Sequence, residues 1–377
     1  MRLPIERPVP VLIMARELDQ GGVERDVAKI AMHLDRSRFT PHVATYYAKG
    51  LRYEELRAAG IPIVHLPLTS LLSKECLRSA LKLRRYIKEH RIRIVHSYDA
   101  SGVFSLPVGR IAGAPVLIGS QLSYRTILDT RTHQLLRLSD YIADVVLVNC
   151  EAIRSYMIAE EGIPPSRVEL CYNGVVTSEF YPDAQAARPE AVASASLVVG
   201  TVCVLRPEKA LLLLQEAFAR VRNLRPGMKL LFVGSGPELA RLQENAARLG
   251  ITDATVFIPA TRDVATWMRA IDIFVLPSYS EAFSNSLLEA MACGCSVIGS
   301  RIGGTPELTG ANEERGLLFE SGNAEDLASQ LTRLITDDGR RRDLASRAAA
   351  FVRENLTIEI AAQTTGAMYD KLLARKG

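Results

Sequence analysis

Short apolar runs alternate with amphipathic segments along the whole chain. In the first half, VPVLIMA precedes GGVERDVAKIAMHL and PHVATYY precedes LRYEELRAAG, and IRIVHS, PVLIGS and ADVVLVN continue the same order. Nearly continuous apolar strands are typical of a parallel sheet that is covered by helices on both faces. The pattern therefore predicts a doubly wound, Rossmann-like α/β domain in the first half of the chain.

The same alternation restarts after a polar segment. Residues 177–196 are polar, rich in alanine and proline and without a clear period, which indicates an interdomain linker. Beyond them, LVVGTVCVL, KLLFVGSGP and DIFVLPS belong to about six further βα units. We therefore expect two Rossmann-like doubly wound domains with parallel sheets, residues 1–180 and 195–356, and a C-terminal helical segment, residues 357–377.

Composition restricts the class of protein. The chain has 377 residues, of which 48% are hydrophobic and 23% charged, enough for two globular domains with cores of their own. The net charge of +4 does not argue for nucleic acid and suits an anionic ligand. No apolar run approaches a membrane span, and the scattered cysteines fit neither a disulfide framework nor a zinc site. We expect a cytoplasmic protein.

The stretch SEAFSNSLLEAMACG, residues 280–294, places a carboxylate in apolar surroundings. Ser284 is a competent N-cap after a strand and a loop, and a helix N-terminus there presents free N–H groups to an anion. Glu289 then falls within a helix that is apolar nearly all round, where a carboxylate is costly without a partner. Ligand hydroxyls, such as those of a ribose, are one such partner, and a structural arginine or backbone group is the alternative.

Other loops that follow strands carry charges or glycines. Arg206 and Lys209 come directly after LVVGTVCVL and suit a diphosphate, although a solvated helix start has the same pattern. Gly21 and Gly22 allow a ligand to approach the backbone, but the full G-x-G-x-x-G fingerprint is absent. His96 ends a predicted strand, and a structural role is the simpler interpretation for it. Ligands bind at the carboxyl ends of parallel strands, so we expect the site at these loops.

Residues 74–93, KECLRSALKLRRYIKEHRIR, carry eight Lys or Arg and two Glu. Leu77, Ala80, Leu81 and Ile87 add an apolar stripe at helical spacing. The segment is either a helix in peripheral contact with an anionic membrane or a solvated outer helix of the sheet.

Taken in order, these features closely resemble one family. A glycine-rich loop, an Arg/Lys pair, two glutamates with seven residues between them and a Gly-Gly pair follow one another, as in the retaining glycosyltransferases of family 4. The most specific part is PSYSEAFSNSLLEAMACGCSVIGSRIGGTPEL, residues 277–308, and LRPEK, YNGV and VGSGP add support. The resemblance implies the GT-B fold, in which two Rossmann-like domains face each other across a cleft and the C-terminal helix packs back on the first domain.

The resemblance also implies a donor and its contacts. The donor would be a nucleotide-diphosphate sugar, a UDP-sugar rather than a GDP-sugar, used without a divalent metal or other cofactor because cationic side chains and a helix dipole stabilise the leaving diphosphate. Glu281 would contact the transferred sugar. The residues implied to bind the nucleotide or its phosphates are Gly21, Gly22, Arg206, Lys209, Ser284, Asn285, Ser286 and Glu289.

Several positions depart from the family pattern. Val204 stands in place of an arginine, Ala210 in place of a glycine, and Val176 in place of the aspartate of NGVD. Gln121 takes the place of a histidine and forms hydrogen bonds without becoming a cation, and we count it with Glu281 as a candidate catalytic residue.

Three functions stay open at this point. The chain is a glycosyltransferase for a glycan, glycolipid or small-molecule acceptor in cell-envelope synthesis, a nucleotide-sugar 2-epimerase, or a binding protein that has lost its activity.

Overall fold

A computed structural model describes residues 7–19 and 21–376, without the side chain of residue 127. The chain divides into two compact units. The first unit runs up to Gly174 and resumes at Ile358, and the second unit is Val175–Thr357. Among the described residues, every helix is too short or too polar to span a bilayer.

The first unit contains a parallel sheet of seven strands in the order β3-β2-β1-β4-β5-β6-β7. The apolar runs of the sequence form these strands, and most of their residues are buried. The strands are β1 Val9–Met14, β2 Phe39–Thr45, β3 Ile63–His65, β4 Ile94–Tyr98, β5 Val116–Gln121, β6 Val145–Val148 and β7 Val168–Leu170.

Helices cover both faces of this sheet. Right-handed crossovers place α1 and α2 on one face and the next four helices on the other. Their bounds are α1 Gly22–His33, α2 Leu51–Ala58, α3 Lys74–Glu89, α4 Gly102–Ala112, α5 Thr130–Ile142 and α6 Glu151–Ala159.

The second unit repeats the architecture with six parallel strands in the order β10-β9-β8-β11-β12-β13. The strands are β8 Leu197–Val202, β9 Met228–Val233, β10 Thr255–Ile258, β11 Ile273–Leu276, β12 Ser296–Ser300 and β13 Leu317–Phe319. The helices are α7 Leu211–Val221, α8 Leu239–Arg248, α9 Val264–Arg269, α10 Asn285–Ala292, α11 Thr305–Thr309, α12 Ala324–Thr336 and α13 Asp338–Asn355. The predicted fold class of parallel α/β domains is confirmed.

The polar segment 177–196 is part of the second unit. Within this segment, Arg188 Nη2 lies 2.7 Å from Asp272 Oδ1 and 2.8 Å from Asp272 Oδ2. Asp272 Oδ2 also accepts a hydrogen bond of 2.7 Å from the backbone N–H of Val198, at the start of β8. The segment predicted as a linker is therefore fastened to the second sheet.

The C-terminal helix α14, Ile358–Lys376, packs against α1 within the first unit. Its Tyr369 hydroxyl lies 2.7 Å from His96 Nδ1, while His96 Nε2 lies 2.6 Å from Ser120 Oγ. His96 is fully buried, and burial lowers its pKa to about 3. This histidine at the end of β4 is therefore neutral and joins α14 to the sheet.

Candidate functional site

Two loops of the second unit meet at the carboxyl ends of neighbouring strands. Lys209 follows β8 and Glu281 follows β11, and Lys209 Nζ lies 2.5 Å from Glu281 Oε1. Ser278 Oγ donates a second hydrogen bond of 3.1 Å to the same carboxylate oxygen. The structure thus brings together a cation and a carboxylate that the sequence predicted for one site.

The environment keeps Lys209 charged. Burial by itself lowers the pKa of Lys209, but the charge and hydrogen bond of Glu281 outweigh it, and the pKa is raised above its usual value. Both side chains remain partly accessible, at 23% for Lys209 and 14% for Glu281. A ligand can therefore reach a lysine that is positively charged at every physiological pH.

Backbone hydrogen bonds join the loops around this pair. The Tyr279 N–H donates to the Glu208 carbonyl at 2.8 Å, and Ser300 Oγ donates to the Ser278 carbonyl at 2.8 Å. Gly303 lies against the same loop with φ +48°, and a Cβ there would come within 1.9 Å of the Glu281 carbonyl oxygen. A glycine is therefore required at this close approach. The predicted Gly-Gly loop after β12 lies beside Glu281.

Helix α10 begins next to the pair. Ser284 Oγ accepts a hydrogen bond of 3.4 Å from the Leu287 N–H and caps the helix, as predicted, and lies 3.2 Å from Ser286 Oγ. The first turn, which includes Asn285, points its remaining N–H groups and the positive end of the dipole towards the strand ends. This arrangement is suited to an anion.

Glu289 lies within α10 and is 1% exposed. The residues on either side of it, from Leu287 to Ala292, are all buried, so the predicted buried helix is confirmed. The Glu289 carboxylate therefore belongs to the same short helix as the N-terminus capped by Ser284. Its contact with ligand hydroxyls stays a prediction.

The loop after β8 shows how the departures from the family pattern are accommodated. Ala210 has φ +51° and ψ +38°, so the left-handed conformation that favours glycine is kept by an alanine, at a cost of about 1–2 kcal/mol. Val204 is exposed at 41%. Arg206 is also exposed, and its Nη1 lies 3.9 Å from Glu208 Oε1. The structure leaves the Arg206 side chain accessible and does not join it to the Lys209–Glu281 pair.

The glycine pair of the first unit lies at the carboxyl end of β1. Gly21 is the N-cap of α1 with φ −66°, a conformation open to any residue. A Cβ on Gly21 would meet only the carboxylate end of the Glu24 side chain, which can move aside, so neither backbone strain nor a fixed contact requires glycine here. Gly22 is the first residue of the helix. Both positions therefore lie at the N-terminus of α1, and their contact with an anion stays a prediction.

Gln121 ends β5 and is 2% exposed. Its Nε2 donates to the Ser123 carbonyl at 2.7 Å, and its Oε1 accepts a hydrogen bond of 2.9 Å from Arg125 Nε. Arg125 is 1% exposed and makes two hydrogen bonds to Asp140, of 2.7 and 3.1 Å. The side chain of Gln121 is therefore fixed by protein partners on both of its polar atoms.

The Arg125–Asp140 pair was not predicted from the sequence. Burial raises the pKa of Asp140 in spite of the charge and hydrogen bonds of Arg125. Glu161 extends the cluster and lies 2.8 Å from His133 Nε2 and 2.7 Å from Tyr156 Oη. An arginine in a polar loop has no sequence signal for burial, because the carboxylates that pair with it lie further along the chain, Asp140 in α5 and Glu161 just after α6.

Asp99 is a second residue without a sequence signal. It follows β4 directly and has φ +47°, a left-handed conformation that few residues other than glycine adopt and that aspartate tolerates better than most. Its Oδ1 accepts a hydrogen bond of 3.2 Å from the Leu122 N–H, and burial raises its pKa to about 6. A strained aspartate with a raised pKa at the end of a strand is typical of a functional position.

Two family models match the chain. The model described as "Glycosyl transferases group 1" matches residues 184–351, and the model described as "Glycosyltransferase Family 4" matches residues 20–179. The first match contains Lys209, Glu281 and the whole of α10. Together the two models cover most of both units.

Curated proteins and solved structures agree with these models. A D-inositol 3-phosphate glycosyltransferase of Kribbella flavida is 34% identical over 60% of this chain and 56% of its own length. The protein of the same description from Streptosporangium roseum is 28% identical over 91% of this chain and 83% of its own length. The chain spans about half the length of several such relatives.

Among solved structures, Alr3699/HepE of Anabaena, in complex with UDP and glucose, has a TM-score of 0.85 and 21% identity. The similarity covers 96% of this chain and all of that one. At this level of identity the similarity describes the fold, and the fold includes both units.

Proposed function

The chain belongs to the group 1 glycosyl transferases, and on that premise we propose that it moves a sugar from a nucleotide-diphosphate sugar to a hydroxyl acceptor with retention of configuration. The observation that carries the proposal is the pair of Lys209 and Glu281 beside the N-terminus of α10. A charged lysine and a helix N-terminus at one edge of a sheet are the groups that a diphosphate requires.

In this proposal the donor diphosphate lies against Lys209 and the first turn of α10, residues Ser284–Ser286. Arg206, which is exposed, swings in from the preceding turn to complete the cationic contacts. Bond cleavage at the anomeric carbon increases the charge on the leaving diphosphate, so preorganised N–H groups and the lysine lower the barrier. Glu289 accepts hydrogen bonds from the ribose hydroxyls, which compensate its burial.

Glu281 contacts the transferred sugar and is not the nucleophile. Its Oε1 is occupied by Lys209 and Ser278, and a carboxylate held by a cation and a hydroxyl is a weakened nucleophile. Attack of the acceptor on the same face of an oxocarbenium-like sugar accounts for retention. In this mechanism the carboxylate stabilises positive charge on the sugar and orients its hydroxyls.

The donor nucleotide is UDP in this proposal. The Anabaena protein of the same fold was solved in complex with UDP and glucose, which supports a UDP-sugar over a GDP-sugar. The proposal needs no divalent metal and no cofactor, because Lys209 and the helix N-terminus supply the positive charge.

The acceptor is a glycan, glycolipid or small molecule of cell-envelope synthesis, used by a cytoplasmic enzyme that is peripheral at the inner face of the membrane. Gln121 of the first unit is the proposed acceptor-side position, and Gly21 and Gly22 keep their proposed contact with a phosphate. In this proposal Gln121, which is buried and held by Ser123 and Arg125, shapes the acceptor side of the first unit from within, and its amide does not act as a cation.

The test is a calorimetric titration with UDP, GDP and ADP, first without metal and then with Mg²⁺. We expect UDP to bind without metal and Glu289→Ala to lose that binding. The control is Glu325→Ala, at an exposed glutamate of α12, which should bind UDP like the parent. Binding of no nucleotide would overturn the proposal in favour of a protein that has lost the activity.

A second measurement separates a transferase from an epimerase. The UDP-sugar that binds is incubated with the enzyme alone and followed by NMR. Formation of the 2-epimer without an acceptor would contradict the transferase proposal. Release of UDP that depends on an added acceptor, with a product of the same anomeric configuration as the donor, is the expected result.

A further inference from the structure

Exposed apolar side chains of the first unit are confined to one face of its sheet. Among the described side chains of that unit, seven large apolar ones are exposed, and all lie on α3, α4 and α5 or in the loop before α3. They are Leu71 at 39%, Leu72 at 82%, Leu77 at 64%, Leu81 at 57%, Ile111 at 72%, Leu138 at 61% and Tyr141 at 74%.

These three helices form one layer. Helix α3 packs against α4, and α4 packs against α5. Since packed helices lie about 8–10 Å apart, the exposed side chains are spread over a surface roughly 20 Å wide. We call this surface, made by residues 71–89, α4 and α5, the α3–α5 face. Seven large exposed apolar side chains on one layer of helices, with none on the other described helices of the unit, indicate an interaction site.

Helix α3 divides its apolar residues between two sides. Leu83 and Ile87 are buried against the sheet, whereas Leu77 and Leu81 point to solvent. The single apolar stripe predicted for Leu77, Ala80, Leu81 and Ile87 is therefore wrong, because Leu77 and Leu81 lie on the opposite side of the helix from Leu83 and Ile87. The outward leucines alternate with Lys74, Arg78, Arg84 and Lys88, which are exposed too.

Charge is as unevenly distributed as apolar area. Helices α3, α4 and α5 carry nine Lys and Arg and three acidic residues, and one of the three, Asp140, is buried with Arg125. On the opposite face of the sheet, α1, α2 and α14 carry seven basic and six acidic residues. The α3–α5 face is thus basic as well as apolar, and the other face is neither.

We propose that the α3–α5 face docks on an anionic phospholipid bilayer, with Leu72, Leu77 and Leu81 entering the interface between headgroups and acyl chains. Leucines interspersed with lysines and arginines match that interface, which offers apolar depth and negative charge together. A second copy of the chain would bring the same basic surface against it, and like charges oppose such a contact. Nucleic acid offers the phosphates but no place for exposed leucines.

The proposal concerns the first unit and goes beyond the transfer reaction. Docking places a soluble catalyst on a surface where amphipathic acceptors are concentrated. Vesicle binding is measured without any donor. Its result therefore tests the docking proposal and does not depend on whether the proposed nucleotide site is right.

The experiment is flotation of the full chain with vesicles of phosphatidylcholine alone and with phosphatidylcholine containing about one third phosphatidylglycerol. Binding is expected to the anionic vesicles only and to weaken as salt is raised. Leu77→Ser with Leu81→Ser should weaken binding by at least roughly tenfold, since each leucine loses apolar burial. Arg78→Glu with Arg84→Glu should weaken it by about fivefold or more for each cation removed.

The controls are matched by exposure. Leu224→Ser and Arg241→Glu replace an exposed leucine and an exposed arginine of the second unit, and neither should alter flotation. Circular dichroism of every variant checks the fold. Equal binding to neutral vesicles, no binding to either vesicle, or a dimer in solution that Leu77→Ser with Leu81→Ser dissociates would each overturn the proposal.

Discussion

Lys209 and Glu281 are 72 positions apart in the chain, and the Lys209 Nζ lies 2.5 Å from the Glu281 Oε1. They meet because β8 and β11 are neighbours in the sheet, although β9 and β10 separate them in the sequence. The lysine proposed for the diphosphate is therefore oriented by the carboxylate proposed for the sugar. A change in either residue alters the environment of the other.

Removal of the lysine tests the diphosphate contact. Lys209→Ala should raise the dissociation constant for UDP by about 10- to 100-fold, since a hydrogen bond to a charged group contributes roughly 1.5–3 kcal/mol. Calorimetry measures the change. The control is Lys229→Ala, which removes a surface lysine of the same unit that binds the Asp253 carbonyl. Equal UDP affinity in Lys209→Ala and the parent would contradict the proposed site.

The ribose contact of Glu289 can be isolated by a cycle of one substitution and one ligand change. Glu289→Ala and the replacement of UDP by its 2′,3′-dideoxy analogue should each weaken binding by about tenfold or more. Because both changes remove the same contact, their combined effect should be close to either one alone. Additive losses would mean that the carboxylate of Glu289 binds another group.

The left-handed alanine predicts a gain in stability. Ala210→Gly removes a conformational strain of about 1–2 kcal/mol from the folded state, but the greater freedom of glycine in the unfolded chain lowers stability by about 0.4–1 kcal/mol. The free energy of unfolding should therefore increase by about 0.5–1 kcal/mol. Urea denaturation measures it. Ala219→Gly, within α7, has no strain to relieve and should lower stability by about 1 kcal/mol. A loss of stability in Ala210→Gly would contradict the interpretation of the loop.

The buried histidine predicts a pH dependence. The pKa of His96 is about 3 in the folded protein and about 6.5 in the unfolded chain, so between these values the unfolded state binds the extra proton. Stability should therefore fall as pH decreases below 6.5, by up to about 1.4 kcal/mol per unit from this residue. His42, whose pKa burial lowers to about 4, contributes in the same direction.

His96→Gln keeps a hydrogen-bonding side chain and removes the titration. Its unfolding free energy should decrease less steeply than that of the parent between pH 6.5 and 4. The imidazole of His96 in the parent should remain neutral at pH 5 by NMR. An imidazolium at that pH would refute the assignment.

Substitution of the buried Arg125 should cause a large loss of stability, part of which a second substitution should restore. Arg125→Met leaves Asp140 and Glu161 without their cation and should destabilise the first unit by about 3–5 kcal/mol. Asp140→Leu in the same chain should restore part of that loss. The exposed Arg241, which pairs with Glu238, serves as the control, and Arg241→Ala should cost about 0–1 kcal/mol. Equal losses of stability in Arg125→Met and in Arg241→Ala would rule out a structural role for the cluster.

Some features of this protein were determined by local sequence. Apolar runs bounded by polar residues define the strands, because a strand buried on both faces must be apolar throughout. Ser284 could be identified as an N-cap because capping depends on residues within one turn. The positions of Arg206 and Lys209 at a strand end followed from the same alternation, and so did the loops that form the candidate site.

Other features were decided by tertiary structure. The contact of Lys209 with Glu281, and the enclosure of Gln121 by Arg125, depend on which strands and helices become neighbours. The outward direction of Leu77 and Leu81 depends on how α3 is rotated against the sheet. A local pattern predicts that a helix is amphipathic, but the packing of its buried residues determines which side chains are exposed to solvent. The partner of a buried charge is decided in the same way, by residues distant in the chain that packing brings within hydrogen-bond distance.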